Sequence, residues 1–164
     1  MSQIIKDGQL IENNWEFLES LEEGEALPPG QIVVPVAIWT EFQSDIATRK
    51  DEVGVWLASD QDPRDTENIE SAAMIAVKFD TFVDGRGFSI ARLLRERLNY
   101  TGEIRAVGAP IRDQLTYMTR CGFNAFELAD HYDPSEALAS LKDFSENYQI
   151  SVEQKTPLFR RRSS

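Results

Sequence analysis

Between Ile32 and Glu136 the sequence alternates short apolar runs with amphipathic segments of helical periodicity. The apolar runs predict five buried strands, at Ile32–Val34, Val53–Ala58, Ala72–Phe79, Ile104–Val107 and Ala125–Leu128. Such alternation is typical of a parallel sheet covered by helices. We therefore expect an α/β fold with a mostly parallel sheet of about five strands. Five strands are too few for an eight-stranded barrel, which leaves an open sheet or a barrel fragment.

Four amphipathic segments predict the covering helices. They cover Ala37–Arg49, Ile90–Leu98, a segment that begins at Pro110, and a segment that begins at Pro134. Ser89 is the predicted N-cap of the second helix, and Gly122 the C-cap of the third. Asp133 is placed to cap the last helix, with Glu136 in position for a capping box.

The first thirty residues predict an appendage to the main fold. Asp7-Gly8 favours a tight turn, so residues 3–12 predict a small hairpin. Trp15–Leu21 is amphipathic and predicts a helix, and the breaker Pro28-Pro29-Gly30 marks the boundary. The expected organisation is one α/β domain over 1–154, with a hairpin and helix appendage at 1–27, the main fold at 31–154 and a flexible tail at 155–164.

Composition limits the function classes. The formal net charge of -11 argues against general nucleic-acid binding, because DNA or RNA phosphates would be repelled. The apolar runs are too short to span a membrane, and no secretory signal is visible, so we expect a cytoplasmic protein. With one Cys and one His, no metal cluster of these residues can form, and we predict neither a metal nor a cofactor. Cys121 is expected to be a packed residue and His131 a loop residue, and Trp15, Trp39 and Trp56 are expected to fill the core or an interface.

Arginine is concentrated in one segment of this acidic chain. Seven of the twelve Arg lie between Arg86 and Arg120, and the window from Asp84 to Arg120 carries a net charge of +3. The chain has five Lys, and none of them lies between Phe79 and Asn124. Since guanidinium groups bind oxyanions and carboxylates in a planar fork, the segment predicts a surface for an anion or a partner protein.

The same segment resembles a known bacterial family. The run F-x-DGRGFS-x-ARLLRER in residues 82–97, followed by Y-x-GE-x-RA-x-G, RDQL-x-Y and RCGF, resembles the family known as domain of unknown function 934. The resemblance implies a protein encoded beside assimilatory sulfite or nitrite reductase genes and labelled a probable oxidoreductase of sulfite reduction. It thus implies a process, sulfur assimilation, and leaves the activity open. Ala109 stands where such sequences often have Asp before the RDQL helix.

Two sets of residues are candidates for function. The candidate anion site consists of the turn between the third strand and its helix, together with polar residues near the next strand: Asp84, Gly85, Arg86, Gly87, Ser89, Arg105, Arg112 and Asp113. The candidate docking surface consists of Arg92, Arg95, Arg97 and Arg120. The alternatives are a structural turn in which Asp84 pairs with Arg86 or Arg92, a solvated helix face, and a buried pair of Arg105 with Asp84 or Asp113.

Topology gives the anion site a predicted location. Ligands of open parallel sheets lie beyond the carboxyl ends of the strands. The loops after Phe79, Val107 and Leu128 should therefore converge, bringing together Asp84–Ser89, Gly108–Asp113 and Asp130–Tyr132.

These observations predict two functions of different classes. The first is an accessory protein of assimilatory sulfate or sulfite reduction, which docks through its Arg-rich face on a partner such as sulfite or nitrite reductase. The second is an enzyme or sensor that binds a small oxyanion (sulfite, sulfate or a phosphate ester) at the Asp84–Ser89 turn. A homodimer built on the same surface is a third alternative. The sequence contains no complete catalytic constellation, so catalysis is left open.

Overall fold

The computed structural model describes residues 3–79, 86–108, 114–128 and 133–145. Eight strands lie within these residues: β1 (Gln3–Lys6), β2 (Gln9–Glu12), β3 (Glu16–Phe17), β4 (Ile32–Pro35), β5 (Val53–Ala58), β6 (Met74–Phe79), β7 (Glu103–Gly108) and β8 (Ala125–Phe126). The same residues contain five α-helices: α1 (Val36–Glu41), α2 (Gln43–Ala47), α3 (Arg86–Glu96), α4 (Leu115–Cys121) and α5 (Pro134–Ser145). Two single-turn 3-10 helices, Pro63–Asp65 and Ile69–Ser71, follow β5.

The strands form one mixed sheet in the order β2-β1-β8-β7-β6-β5-β4-β3. Strands β3 to β8 are parallel to one another, whereas β1 runs antiparallel to both β8 and β2. The predicted sheet of about five mostly parallel strands is therefore wrong in number and in type. The α/β class is confirmed, and the five predicted strands correspond to β4–β8.

The sheet curls into an open half-barrel. Strands β2 and β3 are its two edges, yet only residues 13–15 connect them. Seven strand spacings in a flat sheet would separate the edges by about 34 Å. The four residue steps from Glu12 to Glu16 reach about 14 Å at most, so the edges must curve towards each other.

One face of the sheet is covered by the helices, and we call it the helix-covered face. Ile75, Val77 and Phe79 of β6 point to this face and pack in one core with Ile90 and Leu94 of α3. The same core contains Trp39, Leu115, Met118 and Ala137 of α1, α4 and α5. Gly87 of α3 packs so closely that a Cβ there would collide with the ring of Phe79.

The other face, here called the inner face, lines the inside of the half-barrel. Met74, Ala76 and Lys78 of β6 point to it, because side chains alternate along a strand. A second apolar cluster lies on this face, in which Val33, Met74, Ala76 and Val107 are packed against Trp15, Phe17 and Trp56. The segment that joins β2 to β3 thus covers part of the inner face.

The N-terminal hairpin is confirmed, with Asp7 and Gly8 both at positive φ in the turn. It joins the main sheet, since Ile5 of β1 pairs with Phe126 of β8. The predicted helix over Trp15–Leu21 is wrong, and β3 lies there instead. Trp15 and Phe17 are two residues apart, which is the spacing of a strand, and both pack on the inner face.

The predicted helices also need corrections. Residues 37–49 form two short helices, α1 and α2, which are separated at Phe42. Ser89 is not an N-cap, because α3 already begins at Arg86. Gly122 is the C-cap of α4 as predicted, with a φ of 124°, and the Asp133 carboxylate accepts from the backbone N–H of Ser135 in the first turn of α5.

Some predicted features lie outside the described residues. They are the helix start at Pro110, the departure at Ala109, His131 and the tail at 155–164. Of the helices that the structure describes, none combines the length and the apolar character needed to cross a membrane.

Candidate functional site

A pocket of about 310 Å³ opens on the inner face at the carboxyl ends of strands β5 to β8. Its lining consists of Phe17, Glu19, Trp56, Lys78, Val107, Gly108, Glu127 and Leu128. The adjacent parallel strands all point their carboxyl ends at this edge of the sheet. This is where open parallel sheets bind ligands, and the volume suits a small molecule.

Lys78 is the cationic group of the pocket. It is the fifth of the six residues of β6, and alternation turns its side chain to the inner face with Met74 and Ala76. The Lys78 ammonium lies 5.3 Å from the centre of the Trp56 ring and 4.0 Å from a carboxylate oxygen of Glu19. Its side chain is 41% exposed, so the ammonium remains accessible to a ligand.

Aromatic side chains form a wall of the pocket. The Trp56 indole N–H donates to the backbone carbonyl of Leu18 at 2.9 Å, which fixes the ring against the segment that follows β3. Phe17, from β3, packs in the same inner-face cluster. Trp56 comes from β5, the strand next to β6, whereas Phe17 comes from the edge strand β3, which the curl of the half-barrel turns towards the same pocket.

Glu127 lies across the pocket from Lys78 and is held by Asn13. The Asn13 side-chain N–H donates to the Glu127 carboxylate at 3.3 Å, while the Asn13 side-chain oxygen accepts from the Arg105 guanidinium at 2.9 Å. The same oxygen accepts from the backbone N–H of Trp15 at 3.1 Å. Asn13 thus connects Glu127 to a buried part of the sheet.

Arg105 is buried below the pocket, with 1% of its surface exposed. Its guanidinium donates to the Glu103 carboxylate, with nitrogen–oxygen distances of 2.9 and 2.8 Å. The second oxygen of Glu103 lies 3.4 Å from the ammonium of Lys6 on β1. Arg105 is therefore neutralised within its own strand by Glu103, and the two partners predicted for it, Asp84 and Asp113, lie outside the described residues.

The structure places three other members of the candidate anion site apart from Arg105. Arg86, Gly87 and Ser89 lie in the first turn of α3, on the helix-covered face, whereas Arg105 points to the inner face. Gly87 is buried against Phe79, and its φ is not positive. Asp84, Gly85, Arg112 and Asp113 lie outside the described residues, as does the predicted loop contribution of Asp130–Tyr132. Strands β6, β7 and β8, which precede the three loops predicted to converge, are adjacent and parallel.

The candidate docking arginines differ in their environments. The Arg95 guanidinium donates to the backbone carbonyls of Gly122, Tyr100 and Gly102 at 3.0, 2.8 and 2.8 Å, so it holds α3 to the end of α4. Burial lowers the pKa of Arg92, but interactions with Cys121 and Tyr117 outweigh it and raise that pKa. Arg97 is exposed and Arg120 is half-buried.

An exposed aromatic patch accompanies these arginines on α3 and α4. Tyr117 is 45% exposed, and its ring meets the Phe88 ring edge-on at a centroid distance of 5.1 Å. The Phe88 ring in turn lies 5.6 Å from that of Phe79 in the core. Cys121, on the buried side of α4, is a packed residue as predicted.

Sequence reasoning missed the pocket residues Lys78, Glu127, Glu19 and Phe17. One signal was available, since Lys78 is the single charge in the apolar run Ala72–Phe79 and lies near the carboxyl end of a central strand. Trp39 fills the core as predicted, and Trp56 lines the pocket. Within the described part of the chain, no group of three or more His, Cys, Asp and Glu is arranged to hold a metal ion.

Comparison with known proteins identifies a family and no function. No curated protein and no solved structure matches this chain. The sequence model of a family described as bacterial protein of unknown function (DUF934) matches residues 54–159, which include all but the first residue of β5, the whole of β6 to β8 and most of the pocket lining. Since this match covers most of the chain, the protein belongs to the DUF934 family.

Proposed function

We propose that this protein binds a small anionic molecule in the pocket at the carboxyl ends of β5 to β8. The observation that carries the proposal is the position of Lys78, whose ammonium opens into a pocket of about 310 Å³ between Trp56 and Val107. Among the described residues that line the pocket, Lys78 alone carries a positive charge.

The surroundings of Lys78 favour binding over a purely structural role. Its contact with Glu19 is long, at 4.0 Å, and the Glu19 side chain is 83% exposed. Such an exposed pair contributes little to stability, about 0–1 kcal/mol. A ligand that carries an anionic group can displace Glu19 at small cost and gain a charge-assisted hydrogen bond in a partly apolar pocket.

The link to sulfite reduction that the resemblance implies indicates which anions to test first. Sulfite, sulfate and phosphate esters are the oxyanions of the alternative function that the sequence predicts. The proposed ligands belong to the same class, but they are bound by Lys78 rather than by the Asp84–Ser89 turn.

Thermal unfolding tests the proposal. The melting temperature of the wild type is measured in sulfite, sulfate, phosphate and glycerol phosphate over a range of concentrations, beside Lys78→Met, Arg86→Ala and the control Lys50→Met. Lys50 is exposed and lies in the turn before β5, outside the pocket. A ligand that binds the folded state raises the melting temperature in a saturable way.

We expect one of these anions to stabilise the wild type and Lys50→Met but not Lys78→Met. Loss of the effect in Arg86→Ala, with Lys78→Met still responsive, would instead place the site at the start of α3. Equal responses in all four proteins, or no response to any anion, would contradict the proposal.

We propose as a second candidate function that the protein is an accessory protein of sulfate or sulfite reduction, which docks on a partner such as sulfite reductase. The exposed Tyr117, in contact with Phe88 and beside Arg92, favours it. Tyrosine and arginine are enriched at the centres of protein interfaces. The surface that supports this function is therefore the exposed side of α3 and α4, with Arg97 just beyond the end of α3. Arg95 is not part of this surface, because its guanidinium donates to backbone carbonyls.

Retention of sulfite reductase on the immobilised protein tests this second function. Tyr117→Ala and Arg97→Gln should each weaken retention, and the effect of Arg97→Gln should shrink at high salt. Ile11→Ala is the matched control, because Ile11 is the other large apolar side chain that is exposed in the described residues. Absence of retention at low salt would contradict docking on this partner.

A further inference from the structure

We propose that Glu127 is the second recognition group of the pocket, so that the ligand carries a hydrogen-bond donor as well as an anionic group. The ligand class is then a compact hydroxy acid or amino acid. This inference rests on the proposed function, because it assumes that the anionic group is bound by Lys78.

The strand register places Lys78 and Glu127 on either side of Val107. Lys78 of β6 is paired with Val107 of β7. Ala106 of β7 is paired with Phe126 of β8, and the backbone N–H of Glu127 donates to the carbonyl of Ala106 at 2.9 Å. Glu127 therefore continues β8 at the level of Val107, and the Cα atoms of Lys78 and Glu127 are two strand spacings apart, about 10 Å.

This spacing separates a cationic and an anionic group by an apolar floor. Lys78, Val107 and Glu127 all line the same pocket. Lys78 and Glu127 are not direct cross-strand neighbours, because β7 lies between their strands. Their separation matches a small molecule with polar groups at both ends. A simple anion such as sulfate would leave the Glu127 side of the pocket unused.

Asn13 positions the Glu127 carboxylate. Its side-chain N–H points at Glu127 because its oxygen is committed to two donors, the Arg105 guanidinium and the Trp15 backbone N–H. Arg105 is itself fixed by Glu103 in the buried sheet. The orientation of the Asn13 amide, and with it the position of the carboxylate, is thus set by buried groups rather than by solvent.

Matched ligands separate the contributions of the two groups. Isothermal titration calorimetry is done with propionate, L-lactate and L-alanine, which differ only in the group at the second carbon. A longer series consists of butanoate, 4-hydroxybutanoate and 4-aminobutanoate. The proteins are the wild type, Lys78→Met, Glu127→Gln, Asn13→Asp and the control Lys50→Met.

The wild type and Lys50→Met should bind the hydroxy or amino member of one series at least about tenfold more tightly than the plain carboxylate of that series. This affinity ratio is the gain expected from one charge-assisted hydrogen bond. Glu127→Gln should reduce this ratio for the amino ligand and leave the plain carboxylate bound. Lys78→Met should lose all members of both series.

Asn13→Asp tests the positioning role. Aspartate keeps the oxygen that Arg105 and Trp15 require but removes the N–H donor and places a carboxylate beside Glu127. The ratio for the hydroxy ligand should fall in this variant, because the repelled Glu127 carboxylate leaves the position in which Asn13 holds it. If Asn13 only stabilised the fold, its substitution would change the melting temperature and leave the affinity ratio unchanged.

The failures of the two proposals can be told apart. If plain carboxylates bind through Lys78 but the ratio is near one in both series, the role of Glu127 is wrong and the proposed function stands. If the affinity ratio is high in the wild type and unchanged in Glu127→Gln, another residue accepts the hydrogen bond from the ligand and the inference is again wrong. If no oxyanion or carboxylate binds, both proposals are overturned.

Discussion

The helix-covered face and the inner face of the sheet are both buried, but by different kinds of side chains. The helix-covered face is apolar, and its side chains pack against all five helices and against one another. The inner face combines a small apolar cluster with charged side chains, namely Lys78, Glu103, Arg105 and, just beyond β8, Glu127. The same six parallel strands therefore support a core on one side and a polar site on the other.

The inner face can be stable with several charges because its buried charges are paired. Each buried charge on the inner face has a partner at hydrogen-bond distance: Glu103 for Arg105, and Arg105 with Lys6 for Glu103. Burying a charge is costly unless it is paired. The buried pair of Glu103 and Arg105 lies low on the strands, whereas Lys78 and Glu127, which are only partly buried, lie at the carboxyl ends.

The largest expected effect comes from breaking the ion pair on the inner face. Arg105→Met should lower the free energy of unfolding by about 3–5 kcal/mol, because Glu103 would keep only the longer contact with Lys6 while remaining buried. Urea unfolding measures this change. The double variant Glu103→Met/Arg105→Met removes both charges and should recover most of the loss. A loss below about 1 kcal/mol in Arg105→Met would mean that the pair is not the support we describe.

A smaller loss is expected from crowding the helix-covered face. Gly87→Ala adds a Cβ that collides with the Phe79 ring, which should cost about 1–3 kcal/mol, although alanine is the better helix former. Phe79→Leu/Gly87→Ala should lose less than the sum of the two single variants, since leucine lacks the ring atoms involved. Additive losses in urea unfolding would contradict this close approach.

Replacement of the pocket cation should barely affect stability. Lys78→Met should change the free energy of unfolding by less than about 0.5 kcal/mol, because the partner carboxylate of Glu19 is exposed and distant. The same variant should lose ligand binding, so stability and binding would separate at one residue. A large loss of stability would indicate that Lys78 belongs to the support of the inner face rather than to its site.

The smallest effect is expected away from both faces, in the loop after β5. A side-chain hydrogen bond from Arg64 lowers the pKa of Asp62 from 3.8 to about 2. Because the pKa is depressed in the folded state, its stabilising effect is present above pH 3.8 and is lost as the pH falls towards 2. NMR titration of the Asp62 carboxyl carbon should show the low midpoint, and Arg64→Gln should return it towards 3.8. An unchanged midpoint would exclude Arg64 as the cause.

Local sequence patterns were sufficient to find β4 to β8, because each of these strands carries an apolar run of its own. They were not sufficient for the shape of the sheet. Strand β3 is two residues long, and its pairing with β4 is visible only in the fold. The hairpin was predicted from its Asp-Gly turn, but nothing in residues 3–12 indicates that β1 pairs with β8.

The candidate site was harder to predict for the same reason. Lys78 stands out in its strand, but its significance depends on Trp56, Glu19 and Glu127, which come from other strands and from the opposite edge of the sheet. The contact between Asn13 and Arg105 joins residues that are far apart in sequence. The local concentration of arginine, by contrast, was visible at once, yet Arg95 and Arg105 serve the fold.

The pairing of β1 with β8 also imposes an order on folding. Ile5 can pair with Phe126 only after β8 has been synthesised, although the β1–β2 hairpin is local and can form within about 1–10 μs. Contacts between residues so distant in sequence are slow to form, because a long loop must close first. The hairpin therefore leaves the ribosome before β8 and can be docked only after β8 has formed. Until then, the edge of β8 is open to strands from other chains.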